Sequence, residues 1–288
     1  MQACNRVYDR LRGMRVRQSV GRVICFVVAL IIAVLFCLPF VYMLLCSFQP
    51  TSADIFQWPP KLIPEVFRFS NYVEAFRTMN FPRAFGNTLL LVVSVMTLNL
   101  VGSILVAYGF ARFEARLKRK LFGLLLSTMM LPWVITMIPS YRYIGWIGTR
   151  LPLIVPAIGG SAFNIFMLRQ FMLGIPKGLD EAATIDGCGS FGILWRILLP
   201  NMLPVLATLV VFQFTSVWSD YVGPSIYLLD SDLHTLSLSL YNFQDSSGVM
   251  EWNKVMAGCV MFSLPMVLVL FLAQNAFVRG IVSSGLKE

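Results

Sequence analysis

The densest chemical pattern in this 288-residue chain lies between positions 174 and 200. It reads Gly174-Ile-Pro-Lys-Gly-Leu-Asp180, Glu181-Ala-Ala-Thr-Ile-Asp-Gly187-Cys-Gly-Ser190, then Phe191-Gly-Ile-Leu-Trp-Arg-Ile-Leu-Leu-Pro200. It pairs no nucleophile with a base and gathers no metal ligands, so the chemistry it offers is recognition. Asp180 and Glu181 follow Pro176 and Gly178, and acids in a first turn favour a helix start through the macrodipole and the free backbone N–H groups. Gly187 and Gly189 should end that helix, because glycine enters left-handed backbone cheaply. Ser190 is placed to cap a second helix, in which Phe191, Leu194, Ile197 and Leu198 recur at spacings of three and four. Pro200 and Pro204 then turn the chain. The expected product is a compact knob, helix–bend–helix, with small Ala182 and Ala183 on its flank, suited to docking in another protein's groove.

A second set of candidates stands out by its surroundings. Asn99, Asn164, Gln213, Ser216, Trp218 and Asp220 are polar or amphipathic residues in or beside long apolar runs. Polar groups in such runs are expensive and mark candidate solute paths, although Asn and Gln also bond neighbouring helices and Trp anchors at interfaces. Gln213 and Trp218 together suit a neutral polyol. In a later polar stretch, Asn242, Gln244 and Asp245 are candidate contacts for an external protein. One histidine and six cysteines without paired C-x-x-C spacing give neither a metal centre nor a catalytic constellation. No G-x-x-x-x-G-K-[ST] phosphate loop occurs.

These residues must be held by apolar elements. Hydrophobic residues make up 57% of the chain and charged ones 13%, against about 25% charged in soluble domains, which excludes disorder, a secreted disulfide scaffold and most soluble enzymes. Stretches without Asp, Glu, Lys or Arg run over Val23–Ala53, Ala84–Ala111, Leu121–Tyr141, Leu151–Leu168, Ile197–Ser219 and Val255–Val278. A hydrocarbon core about 30 Å thick needs about 20 apolar residues in a helix. The expectation is an all-α integral membrane protein with six transmembrane helices, the knob lying between spans four and five. The first run far exceeds the ~7–15-residue core of a signal peptide and reads as an uncleaved span.

Six spans put both termini on one side. Arg6 to Arg22, then Arg112, Arg116, Lys118, Arg119 and Lys120, then Arg169, Lys177, Arg196, Arg279 and Lys287 share that side. Lys61, Arg68, Arg77, Arg83, Arg142, Arg150 and Lys254 fall opposite. The positive-inside rule makes the richer side cytoplasmic. The net charge of +9 is then topogenic and faces anionic lipid of the bilayer, with no nucleic-acid partner implied. The expected divisions are a basic cytoplasmic N-terminus at 1–22, span one at 23–48, an external segment at 49–83, a transmembrane domain at 84–280 with its loop at about 169–203, and a cytoplasmic C-terminus at 281–288.

Glu181-Ala-Ala, Asp186-Gly187 and Ile197-x-Leu-Pro200 resemble the EAA loop of permease subunits in binding-protein-dependent ABC importers. Pro39-Phe40, Ser47-Phe48, Asn71 to Phe76, Asn87-Thr88, Ala107-Tyr108, Ile175-Pro176 and Phe277 to Gly280 extend the likeness to the maltose-type carbohydrate permeases, specifically the smaller six-span partner. Two positions depart: Cys188 stands where the family usually has Ala, and Trp218-Ser219-Asp220-Tyr221 replaces its more usual Trp-Asn-Glu-Phe.

The resemblance implies a permease subunit, not an enzyme, that moves a sugar or related polyol across the cell membrane. It implies as partners a second permease in a heterodimer, two ATPase subunits and an extracytoplasmic sugar-binding protein. ATP and Mg would sit on the ATPase, with no cofactor on this chain. Glu181, Ala182, Ala183, Asp186 and Gly187 would couple to that ATPase: the carboxylates by capping helix N–H groups or pairing with a basic residue, the alanines by close approach, Gly187 by making the bend. Glycerol 3-phosphate or another small solute is an alternative cargo, and an ATP-independent secondary transporter an alternative class. The latter would want ion-coupling carboxylates inside its spans, and apart from Asp220 at one span end the apolar runs hold none.

Overall fold

The computed structural model describes residues 2–50, 55, 63–64, 66–132, 135, 145–243 and 250–285; among these the chain is helical and contains no strand. The helices are α1 (Gln2–Cys46), α2 (Ser70–Thr78), α3 (Phe81–Arg112), α4 (Lys118–Thr128), α5 (Leu151–Ile154), α6 (Ala162–Gly174), α7 (Gly178–Ile185), α8 (Ser190–Ile193), α9 (Leu199–Asn201), α10 (Leu203–Ser219), α11 (Val222–Tyr227), α12 (Leu236–Tyr241) and α13 (Trp252–Gly285). Four described segments are long and apolar enough to cross a membrane: Arg22–Cys46, Phe81–Arg112, Leu151–Gly174 and Trp252–Gln274. A fifth arises if Ser190–Asn201 and Leu203–Ser219, bent by 80° at Met202, count as one. The expected third span, Leu121–Tyr141, is helical as far as Thr128, and its residues 133–134 and 136–141 lie outside the described residues.

The chain forms two units, 1–75 with 251–260 and 76–250 with 261–288. In the first, α1 runs without a break through the basic N-terminus that the charge pattern set apart from span one. From Arg22 to Phe40 every residue of it is exposed; a helix apolar on all sides suits hydrocarbon. Its end is tied by polar groups. Just past that end a buried carbonyl still needs a partner, and Asn71, 1% exposed, donates from Nδ2 to the carbonyls of Ser47 and Gln49, both at 2.9 Å. Asn253 Nδ2 donates to the same Gln49 carbonyl at 3.1 Å. Ser47 Oγ and Tyr72 Oη share a hydrogen bond of 2.6 Å, and Lys254 pairs with Glu74 at 2.6 Å and with Glu251.

In the second unit α3 is central, packed by α6, α10 and the 3₁₀ turn Val155–Gly159. Its buried positions, among them Thr88, Leu91, Val95, Asn99, Ser103, Ala107 and Ala111, recur every three or four residues as a helix stripe requires. At Gly102 the 3₁₀ turn comes so close that a Cβ would collide with the Ile158 carbonyl. The apolar core gathers Ala107, Tyr108, Ile165, Leu168, Met172, Leu194, Leu198 and Met202.

Two boundaries differ from the charge-free runs. The fourth run was expected to stop before Arg169, yet α6 continues to Gly174: Arg169 Nε donates to the Phe110 carbonyl at 3.2 Å and its guanidinium stacks 4.1 Å above the Phe122 ring, which hides the charge. The fifth straight helix starts at Leu203 and not Ile197. Pro204, without an N–H, occupies its first turn, and the preceding Leu194–Leu198 segment is wound as a π-turn.

Candidate functional site

The 174–200 segment folds as helix, bend and helix. Asp180 and Glu181 lie in the first turn of α7, without side-chain capping bonds. The helix closes on Asp186, with Gly187 at φ +82°. The Gly187 N–H donates to Thr184 O at 3.1 Å and the Cys188 N–H to Ala183 O at 2.9 Å, the pair of reversed bonds that satisfies a helix's last carbonyls when the next residue is left-handed. The second glycine acts differently: Gly189 sits at φ −73° and is itself the cap residue of α8. Ser190, expected to cap that helix, is its first residue and makes no capping bond.

The two alanines part company. Ala183 is buried among Met172, Leu194 and Leu198, whereas Ala182 is exposed together with Glu181, Asp186 and Gly187. Of the expected apolar face of the second helix, Leu194 and Leu198 point inward and Phe191 is exposed. Ile185, 87% exposed, Phe191 and Trp195 thus form an outward apolar rim around the bend. Ile185 and Trp195 were not singled out from the sequence; an isoleucine followed directly by Asp-Gly, outside any apolar run, was the available signal.

Two residues of α3, Arg112 and Tyr108, hold this knob, and a third, Arg169 of α6, braces the helices beside it; the sequence shows them only as topogenic charge or as part of a family pattern. Arg112 Nε stands 2.6 Å from Asp180 Oδ2, and its Nη2 donates to the Ile175 carbonyl at 3.1 Å. Tyr108 Oη donates to the Ser190 carbonyl at 2.9 Å. Arg169 ties α6 to α3 as described above. Arg112, Tyr108, Lys177, Asp180 and Glu181 line a cleft of about 240 Å³.

Of the six candidates in or beside apolar runs, three meet. Asn164 Nδ2 donates to Asn99 Oδ1 at 2.8 Å and to Gln213 Oε1 at 3.3 Å. Ser103 Oγ donates to Asn99 Oδ1 at 3.3 Å and accepts from the Ser161 N–H at 3.2 Å. This amide ladder joins α3, α6 and α10. Asn164→Leu removes its central donor and leaves two amide oxygens without it. The expected cost is about 1–2 kcal/mol, read as a lowered melting temperature in detergent or lipid, with Ser216→Ala as the unaffected reference.

The other three lie elsewhere. Ser216 is exposed. Trp218, expected beside Gln213, is 1% exposed and stacked on Phe214 at 5.4 Å between centroids, with Phe85 edge-on at 5.8 Å. Its indole N–H donates to the Phe262 carbonyl at 3.2 Å. Gln213 and Trp218 are five positions apart, which rotates them about 140° from one another on a helix of 3.6 residues per turn, so amide and indole face different neighbours. Asp220 caps the end of α10 and accepts from the Gly223 N–H at 3.1 Å. Burial pushes its carboxyl above the usual carboxylate range, against the pull of the Gly223 and Val222 N–H groups.

At the opposite end of α3 from the knob, Asn87 donates to the carbonyls of Asp232 and His234 at 2.9 and 3.0 Å and accepts from Arg150 at 2.7 Å. Exposed Asn242 lines a cavity of about 260 Å³ there with Arg83, Asp232 and His234. Gln244 and Asp245 lie outside the described residues.

Residues 99–283 match the family described as binding-protein-dependent transport system inner membrane component. The chain is 32% identical over 262 residues, 90% of its length and 94% of the relative's, to the probable starch degradation products transport system permease protein AmyC of Thermoanaerobacterium thermosulfurigenes. It is 31% identical over 271 residues, 89% of its length and 95% of the relative's, to the sn-glycerol-3-phosphate transport system permease protein UgpE of Yersinia pestis bv. Antiqua (strain Antiqua). Its fold is similar to a chain of a bacterial ABC transporter that imports the acidic polysaccharide alginate, with a TM-score of 0.79 at 22% identity over 90% of this chain and 96% of that one. The helical bundle and the matched segment together make this a multi-pass membrane protein that belongs to the binding-protein-dependent transport system inner membrane components, the permease subunits of ABC importers.

Proposed function

We propose that this chain is one permease of an ATP-driven importer for a sugar or related polyol, with six spans, both termini in the cytoplasm, and the 176–200 segment docked on a separate ATPase. The observation that carries the reading is the knob: a rigid bend at Gly187 presents Glu181, Ala182, Asp186 and an apolar rim outward, while Ala183 and Leu194 fix its base. Sidedness is supported by contacts within the second unit. One end of α3 meets the 175–190 segment, rich in Lys and Arg on its flanks, and the other meets 230–236. Since the chain carries no ATP-binding phosphate loop, ATP and Mg belong to the ATPase subunits. A second permease completes the pathway, and an extracytoplasmic binding protein delivers the solute; Asn242, Gln244 and Asp245 are proposed to face it.

Movement of solute requires that ATPase closure favour one arrangement of the spans over another, so the docked contact must differ between those states. Reconstitution of this chain with partner permease, ATPase and binding protein tests this. Solute-loaded binding protein is expected to stimulate ATP hydrolysis, and Glu181→Ala to weaken ATPase association or that stimulation. Full transport without any ATPase would move the chain to the secondary-transporter class.

The likeness to the glycerol-3-phosphate permease supports a second cargo. An anion would want Arg or Lys facing the path, and the apolar runs of this chain contain neither, so a neutral solute is preferred. Competition of uptake by maltooligosaccharides and by glycerol 3-phosphate separates the two.

A further inference from the structure

We infer that Arg112, Asp180 and Tyr108 are positioning residues that make α7 and α8 a rigid extension of α3, so that a displacement of the knob becomes a displacement of the spanning helix. The inference rests on the proposed docking of the knob and names the joint through which docking would act.

Arg112 is the last residue of α3 and Tyr108 lies one turn before it, so both side chains leave the same face. Between them they reach three separate parts of the knob: the lead-in at Ile175, helix α7 at Asp180 and helix α8 at Ser190. The pair is shielded from water, with the Arg112 side chain 7% and that of Asp180 17% exposed. A charge pair so placed is screened little by salt and is costly to break on one side only. Helix α7 needs such a joint, because eight residues do not hold a helix by themselves and Ala183 is its one buried residue. Without Arg112, a single methyl side chain and the Gly187 bend would set its direction. The outward residues Ala182 and Ile185 do not line the cleft at this joint, whereas Glu181 stands at its edge, so docking through Ala182 and Ile185 and transmission through Arg112 and Asp180 use different side chains.

The variants Arg112→Gln, Asp180→Asn and their double test this in two ways. In the reconstituted importer each single variant is expected to keep the ATPase bound and to lose at least about fivefold of the hydrolysis stimulated by loaded binding protein. Because the two residues act through one contact, the double is expected to lose no more than the worse single. In the chain alone, spin labels at Ile185→Cys and Leu105→Cys, with the native cysteines replaced, should give a narrow distance distribution that broadens in each variant. Tyr108→Phe removes one hydroxyl and leaves packing intact; it should broaden the distribution to a smaller extent. Stimulation within twofold of the parent in both singles, a double that loses the product of the two, or unchanged label distributions would overturn the joint. If instead Glu181→Ala and Gly187→Pro leave ATPase binding and hydrolysis unaltered, the docking reading fails, and the label distances still report on the joint by themselves.

Discussion

Replacing Gly187 by proline is expected to reduce solute uptake to background while the protein remains in the membrane fraction at its normal amount. The residue sits at φ +82°, and a proline ring holds φ near −65°, so the reversal after α7 cannot form. The same change deletes the N–H that serves the Thr184 carbonyl. About 3 kcal/mol or more of penalty falls on one turn that ends a short helix, so the helix unwinds locally. Open space surrounds this position, which makes Gly187→Ala informative: no clash arises, and only the left-handed backbone cost of about 1–2 kcal/mol applies. Uptake should therefore fall in the order Gly, Ala, Pro. Normal uptake with Gly187→Pro, measured beside protein quantified in the membrane, removes the knob from the mechanism.

The second large effect is expected at Trp218. Because the indole is enclosed by Phe85, Phe214 and Phe262 and its N–H is bound to a carbonyl, Trp218→Ala should cost about 3–5 kcal/mol of stability without changing which solutes compete for uptake. Trp218→Phe keeps part of the stack and should recover most of the melting temperature. A variant that melts like the parent but prefers different solutes would place Trp218 on the path and contradict the packing role.

Part of this architecture is legible from residue types. Pro176, Gly178, two acids and Gly187 bracket α7 closely, because helix ends are set by local backbone chemistry. Asn99, Asn164 and Gln213 announce themselves because an amide in an apolar run needs a partner; that they partner one another depends on how three helices cross, which periodicity does not encode. The phase of a short helix is likewise hidden. Ala182 and Ala183 look alike in sequence, and it takes the Leu194 and Leu198 side chains to decide which of them turns inward. Arg112 shows the limit of counting charges. A cation at the end of an apolar run fits the positive-inside pattern whether it faces lipid headgroups or, as here, a half-buried carboxylate. Ser190 fails as a cap because Gly189 already adopts the extended cap conformation one residue earlier.

The polar knot at the end of α1 has a consequence for how the protein is made. Gln49 receives a hydrogen bond from a residue 204 positions later, and Glu74 finds its lysine almost as far along. At a synthesis rate of about 5–20 residues per second, roughly 10–40 s separate the emergence of the two halves of this contact. During that interval the first apolar helix is already in the bilayer with its end held only by early-made residues such as Asn71 and Tyr72. The knot thus closes only on a chain that has been translated into its last helix, and a ribosome that stops short leaves the first unit open.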